Sequence, residues 1–165
     1  VGNKRTNFRE IAEAELRRKG VPLQDLRSRE IRGTAFEPAA LAVRETAYET
    51  TAGRECFLEW VTPEDRVVAF LRLLLSAQPS FVEELGEAAL IRELHVYGEV
   101  AELNKASRGR AQHRGLGRRL VDAARARADN EGYERLAVIS AMGTRPYYRR
   151  LGFQDGVLYQ HLALR

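Results

Sequence analysis

Ala111-Gln112-His113-Arg114-Gly115-Leu116-Gly117-Arg118-Arg119-Leu120 is a glycine-bearing loop that runs straight into an amphipathic helix. Leu116, Leu120, Ala124 and Ala128 recur every four residues with Val121 beside them, which predicts one apolar stripe. Arg118, Arg119, Arg125 and Arg127 fall largely off that stripe, and Gly132 stands where a left-handed cap would end the run. The first N–H groups of a helix lack partners within it and lie at the positive end of its dipole, so this start predicts an anion site. Glycines at 115 and 117 let the backbone approach a phosphate that a β-carbon would hold off, and Arg118 adds fixed charge. Taken alone, the same letters also suit an ordinary helix start with a basic, solvated face.

Composition narrows the setting. The 165 residues, 44% hydrophobic and 30% charged, suit a single globular domain that buries about two-thirds of its unfolded surface. No stretch approaches the ~20 apolar residues of a membrane span, and no signal peptide is expected at the start. The net charge of +4 suits an anionic ligand without requiring nucleic acid, and no DNA partner is expected. Cys56 is the only cysteine, so a disulfide framework is excluded and a reducing, cytoplasmic setting is expected. His95, His113 and His161 are scattered and make no metal-ligand pattern. A chain that opens on Val1 is expected to be a fragment or a processed form.

Around the loop the elements fall in order. Asn7-x-x-Glu10 predicts a capping box for a helix carrying Phe8, Ile11, Ala12 and Leu16, stopped at Gly20 and Pro22. Leu23 to Gly33 is dense in charge and is expected to be a strand or extended connector. Strands are predicted over Leu41 to Thr50, Glu55 to Val61 and Arg66 to Leu75, the last apolar enough for a central strand covered on both faces. Cys56 is expected in the core as a small hydrophobe. After a loop around Pro79 comes a strand over Leu90 to Tyr97, in which Glu93 and His95 share one face and Leu94 and Val96 the other. A polar segment from Gly98 to Arg110 leads to the glycine loop, its helix, and an apolar strand over Leu136 to Ser140. Strand, loop, helix, strand predicts a parallel βαβ crossover. A helix opening at Thr144-Arg145-Pro146 and closing at Gly152 contains Tyr147 and Tyr148, and a last strand is expected over Val157 to Leu164.

Gln112-His113-Arg114-Gly115-Leu116-Gly117 resembles the Gln/Arg-x-x-Gly-x-Gly pyrophosphate motif of the GNAT acetyltransferases, as does Tyr148-x-x-x-Gly152-Phe153 further on. Ile91-Arg92-Glu93-Leu94-His95-Val96-Tyr97-Gly98, Ala137-Val138-Ile139-Ser140 and Tyr147-Tyr148-Arg149-Arg150-Leu151-Gly152 are similar to the C-terminal acetyltransferase domain of the Elongator catalytic subunits, the tRNA uridine acetyltransferases. Asn3-Lys4-Arg5-Thr6-Asn7 and Arg27-Ser28-Arg29-Glu30 extend the likeness to nearly the whole chain. The resemblance implies an α/β GNAT fold: a mixed, twisted sheet splayed between two parallel strands, with helices on both faces, filling residues 1–165 as one domain. The radical-SAM domain of the family, with its S-adenosylmethionine and iron–sulfur cluster, has no counterpart in these letters. The family's zinc-binding cysteine ahead of Arg-x-Arg-Glu is also missing, Leu23 standing thereabouts, so no metal is expected.

Carried over by position, acetyl-CoA is held by Glu93, Leu94, His95, Val96, Gln112, Gly115, Leu116, Gly117, Arg118 and Tyr148. Tyr148 is expected to give a proton to the departing thiolate; Tyr147 either shares that work or packs. Glu93 and His95 either act as a base, directly or through water, or form a structural pair. The expected activity is acetyl-CoA binding and hydrolysis within an enzyme that builds a carboxymethyl group at carbon 5 of a tRNA wobble uridine. Two alternatives stay open: a free-standing lysine or amine acetyltransferase, and a non-catalytic module docking acetyl-CoA or tRNA. Lys4, Arg5, Arg17, Arg18 and Lys19 suit phosphate contacts or a solvated helix face.

Overall fold

The computed structural model describes residues 7–78, 80–97 and 115–165. The chain divides into two units, Val1–Glu30 and Ile31–Arg165. In the first, helix α1 (Phe8–Arg18) is followed by a single turn, α2 (Leu26–Arg29). The capping box does not form: Asn7 makes no side-chain cap, and Phe8 and Ile11 are exposed. The strand or connector expected over Leu23 to Gly33 is instead interrupted by α2. The Asp25 carboxylate accepts bonds from the Ser28 amide at 3.3 Å and its hydroxyl at 2.7 Å, and a local cap of this kind outcompetes extended backbone. Arg9 reaches Asp25 at 2.7 Å, and these partners, the Ser28 hydroxyl first, hold the Asp25 carboxyl down at about 2.

The second unit is built on one sheet of order β1-β2-β3-β4-β5-β7-β6 among the described residues. Its strands are β1 (Ala42–Thr50), β2 (Gly53–Val61), β3 (Val67–Ser76), β4 (Ala89–Val96), β5 (Arg135–Val138), β6 (Gln154–Asp155) and β7 (Gln160–Ala163). Helix α3 (Leu116–Asn130) joins β4 to β5, and α4 (Arg145–Arg150) joins β5 to β6. Only β4 and β5 run parallel; every other neighbouring pair is antiparallel. The predicted crossover is therefore present, and the sheet is mixed as the GNAT expectation requires.

Period-four apolar spacing in α3 pays off in packing: Leu116, Leu120, Val121, Ala124 and Ala128 are all buried. They join Cys56, Leu58, Leu71, Leu73 and Ile91 in the main core, on the sheet face that also receives Tyr148 and Phe153. Burying each leucine of that set stabilises the fold by roughly 1.5–3 kcal/mol. Cys56 lies in this core, where burial pushes its thiol up. A smaller cluster, Leu85, Ala88 and Ala137, packs elsewhere with Val82, Leu90 and Tyr159.

Two strand expectations need correction. β5 ends at Val138, not Ser140, and Ile139 is exposed. The strand expected from Val157 starts only at Gln160; Val157 and Leu158 are exposed in a turn between β6 and β7. That turn is pinned by Glu84, which accepts bonds from the amides of Leu158 (2.9 Å) and Tyr159 (3.2 Å) and lies 3.1 Å from His161 Nε2. The motif Asn3 to Thr6, Pro79, and everything from Gly98 to Arg114, Gln112 and His113 included, lie outside the described residues.

Candidate active site

The parallel pair β4–β5 is short. Ala89, Leu90 and Ile91 lie opposite Leu136, Ala137 and Val138, and there the pairing stops. β4 continues along β3 as far as Val96, which lies opposite Ala69. Among the described residues, the edge of Arg92–Val96 that faces β5 has no strand beside it. Backbone donors and acceptors left along such an edge are available to an extended ligand.

One buried side chain ties the segment that follows β5 to β7. Gln160, fully buried on β7, accepts a bond from the Ser140 hydroxyl at 2.6 Å. Its amide nitrogen donates to the Arg145 carbonyl at 3.3 Å and to Asp155 at 2.8 Å. The chain after β5 and the start of α4 are thus drawn to the β7 side, away from β4. Nothing in the local sequence marks Gln160 for this role. Its signal is a buried amide that must find several partners, which only the fold reveals.

Between the separated strands lies a cavity of about 1170 Å³. Glu93, Leu94 and Val96 from β4, Gly115, Gly117 and Arg118 from the start of α3, and Tyr147 and Tyr148 from α4 all line it. The other expected positions fall differently. Leu116 points into the core, and His95 stacks on Phe70 at 5.8 Å rather than lining the cavity. Glu93 stands opposite Arg72 and His95 opposite Phe70, which places both on the shared face expected for them.

Both glycines are needed for physical reasons. Gly115, the residue before α3, has φ of +97°, a left-handed conformation that strains any residue with a β-carbon. A β-carbon on Gly117 would fall 2.8 Å from the Tyr147 hydroxyl and 3.4 Å from Val96 Cγ2. The start of α3, the end of β4 and α4 therefore converge at that point. The first bond of the helix ladder runs from the Arg119 amide to the Gly115 carbonyl at 2.9 Å, so the amides of Leu116, Gly117 and Arg118 precede it.

Tyr148 is buried, with its ring set edge-on to Tyr147 (5.2 Å) and Phe153 (5.4 Å). Burial, with Tyr147 adding to it, pushes its phenol up to about 12. Tyr147 is also raised, by burial first and then by Asp122, against Arg118 and Arg150. Both hydroxyls are neutral at physiological pH and can donate hydrogen bonds. Among the described residues no group of three or more His, Cys, Asp or Glu side chains gathers as for a metal ion. No helix there is long and apolar enough to cross a membrane.

Residues 108–157 match the family model described as an acetyltransferase (GNAT) domain. The chain is 38% identical over 158 residues to Elongator complex protein 3 of Drosophila melanogaster, covering 91% of this chain and 29% of that protein. It is 37% identical over 135 residues to the tRNA uridine(34) acetyltransferase of Dehalococcoides mccartyi, covering 78% of this chain and 29% of that protein. The chain thus spans less than a third of the length of these relatives. An archaeal Elongator protein 3 from Methanocaldococcus infernus superposes on 97% of this chain, and on 40% of its own, with a TM-score of 0.80 and 28% identity. The mixed sheet and the sequence agree on a GNAT acetyltransferase fold, and the chain is similar to Elongator complex protein 3 and the tRNA uridine acetyltransferases.

Proposed function

We propose that this chain is the acetyl-CoA-binding and acetyl-CoA-cleaving unit of a tRNA-modifying acetyltransferase. The observation that carries the reading is the opening between β4 and β5, with the first amides of α3 at its mouth. A diphosphate suits those amides because Gly115 and Gly117 present no side chain and the helix dipole favours negative charge. Arg118 supplies a cation beside them, and Gln112 is proposed as a further contact from outside the described residues. The free edge of β4 suits the amide-bearing arm of the coenzyme, which can bond to it as a strand would. Leu94, Val96 and the two tyrosine rings give that arm apolar walls.

Cleavage of the thioester by water forms a carbon–oxygen bond and breaks the carbon–sulfur bond, yielding acetate and a thiol. One proton leaves the water and one reaches the departing sulfur. Tyr148 is assigned the second transfer, since it lines the opening and its phenol carries a proton at neutral pH. Glu93 is assigned the first, directly or through water, with His95 behind it on the same strand. In the complete enzyme the acetate so formed would be passed on as the source of a carboxymethyl group on a wobble uridine. S-adenosylmethionine and the iron–sulfur cluster are assigned to a separate domain, and the setting to the cytoplasm, where tRNA is met.

Thiol release from acetyl-CoA by the 165-residue chain, measured alone, with tRNA and with a lysine peptide, tests the reading. Turnover that rises with tRNA is expected. An acetylated peptide would instead make the chain an amine acetyltransferase, and binding without turnover would make it a docking module.

A further inference from the structure

Glu55 lies on β2, two strands from the opening, and is fully buried. An ionised carboxylate taken out of water is costly unless it is paired. Its Oε2 accepts bonds from Arg72 Nε at 3.1 Å, Arg72 Nη2 at 3.0 Å and the Tyr48 hydroxyl at 3.3 Å. Its Oε1 accepts a short bond from Nη1 of Arg92. Both guanidiniums lead onward to the strand that borders the cavity. Arg72 stands opposite Glu93, and its Nη1 lies 3.8 Å from Glu93 Oε2. Arg92 is the extra residue of a bulge: Leu73 pairs with Ile91 and Arg72 with Glu93, so β4 takes two steps where β3 takes one.

A bulge bends its strand and re-aims the side chains beyond it. Here it begins at the position where β4 loses β5, so the direction of Arg92 and Glu93 is set by β3 and by these ion pairs. Two carboxylates and two guanidiniums balance in charge along a path from β2 through β3 to the free edge. Both residues on which the path ends, Arg92 and Glu93, line the cavity.

We infer that Glu55 is a positioning residue for thioester cleavage: through Arg92 it fixes the β4 bulge, and through Arg72 it aims the Glu93 carboxylate at the opening. The inference rests on the reading of that opening as the acetyl-CoA site. In the full chain, Glu55→Gln keeps the shape of the side chain and removes its charge. Calorimetric titration with acetyl-CoA counts binding-competent sites, and turnover expressed per site is unaffected by any loss of folded protein. Affinity within about twofold of wild type and turnover per site reduced by about tenfold or more are expected. Adding Glu55→Gln to Glu93→Gln should then lower turnover by less than about twofold further, because both changes act through one group. Should Glu55→Gln leave too few competent sites, Arg92→Gln carries the same test with the same expected loss. Wild-type turnover per site in the variant that folds, wild-type turnover in Glu93→Gln, or full additivity of the pair overturns the positioning role. An unmutated chain that neither binds nor cleaves acetyl-CoA overturns the functional reading itself, and this inference with it.

Discussion

Gly117 and Tyr147 show how tightly the chemistry is set by single atoms. A β-carbon at 117 would press on the Tyr147 hydroxyl, so even Gly117→Ala must move a ring that lines the cavity. Tyr148 makes a separate prediction. Tyr148→Phe should reduce thioester cleavage by roughly a hundredfold, the usual size of a lost proton donor, with acetyl-CoA affinity changed no more than a few-fold. Steady-state kinetics beside calorimetry checks this, and a wild-type rate removes Tyr148 from the mechanism. Its phenol also ties stability to pH. The folded-state value of about 12 lies above the ordinary 10, so the associated stability is complete below pH 10 and is lost as pH rises towards 12. The Tyr148→Phe variant should therefore show a shallower alkaline loss of stability in denaturant titrations run across that window. Cys56, buried with its thiol pushed up, should resist alkylation until the protein unfolds, and rapid labelling of the native chain would contradict its placement.

Among the elements, α3 carries both the core and the mouth of the opening. Leu120 is fully buried in its second turn, so Leu120→Ala should destabilise the chain by about 2–5 kcal/mol in urea titrations. A loss below that range would mean that the stripe is not the core contact it is drawn to be. The helix was legible from sequence because period-four apolar spacing and a glycine at each end are local signals. The parallel pair was legible for the same reason, strand and helix periods alternating in order. What could not be read is where β5 stops: the residues beyond it bond to a side chain on another strand, Ser140 to Gln160, and no local signal announces that contact. The β6–β7 turn was hidden likewise: Val157 and Leu158 look like strand residues, and it is Glu84, far away in sequence, that holds their turn. Glu55 left one faint trace, a lone arginine at 72 within the most apolar run, which needs a carboxylate nearby.

For the whole molecule, the fold was legible because the motif of β4, from Ile91 to Val96, and the glycine loop stand in a βαβ order. The side-chain network behind them was not. Similarity runs over nine-tenths of the chain, yet covers under a third of its relatives. Acetyl-CoA is proposed to enter between β4 and β5 with its diphosphate on the start of α3. Calorimetric titration of acetyl-CoA into the wild-type chain and into Gly117→Glu tests it most directly. Saturable one-site binding by wild type, weakened by roughly a hundredfold or more in the variant, is expected, since a negatively charged side chain would enter the cavity beside the amides that start α3. Equal affinity in the two folded proteins would contradict the account.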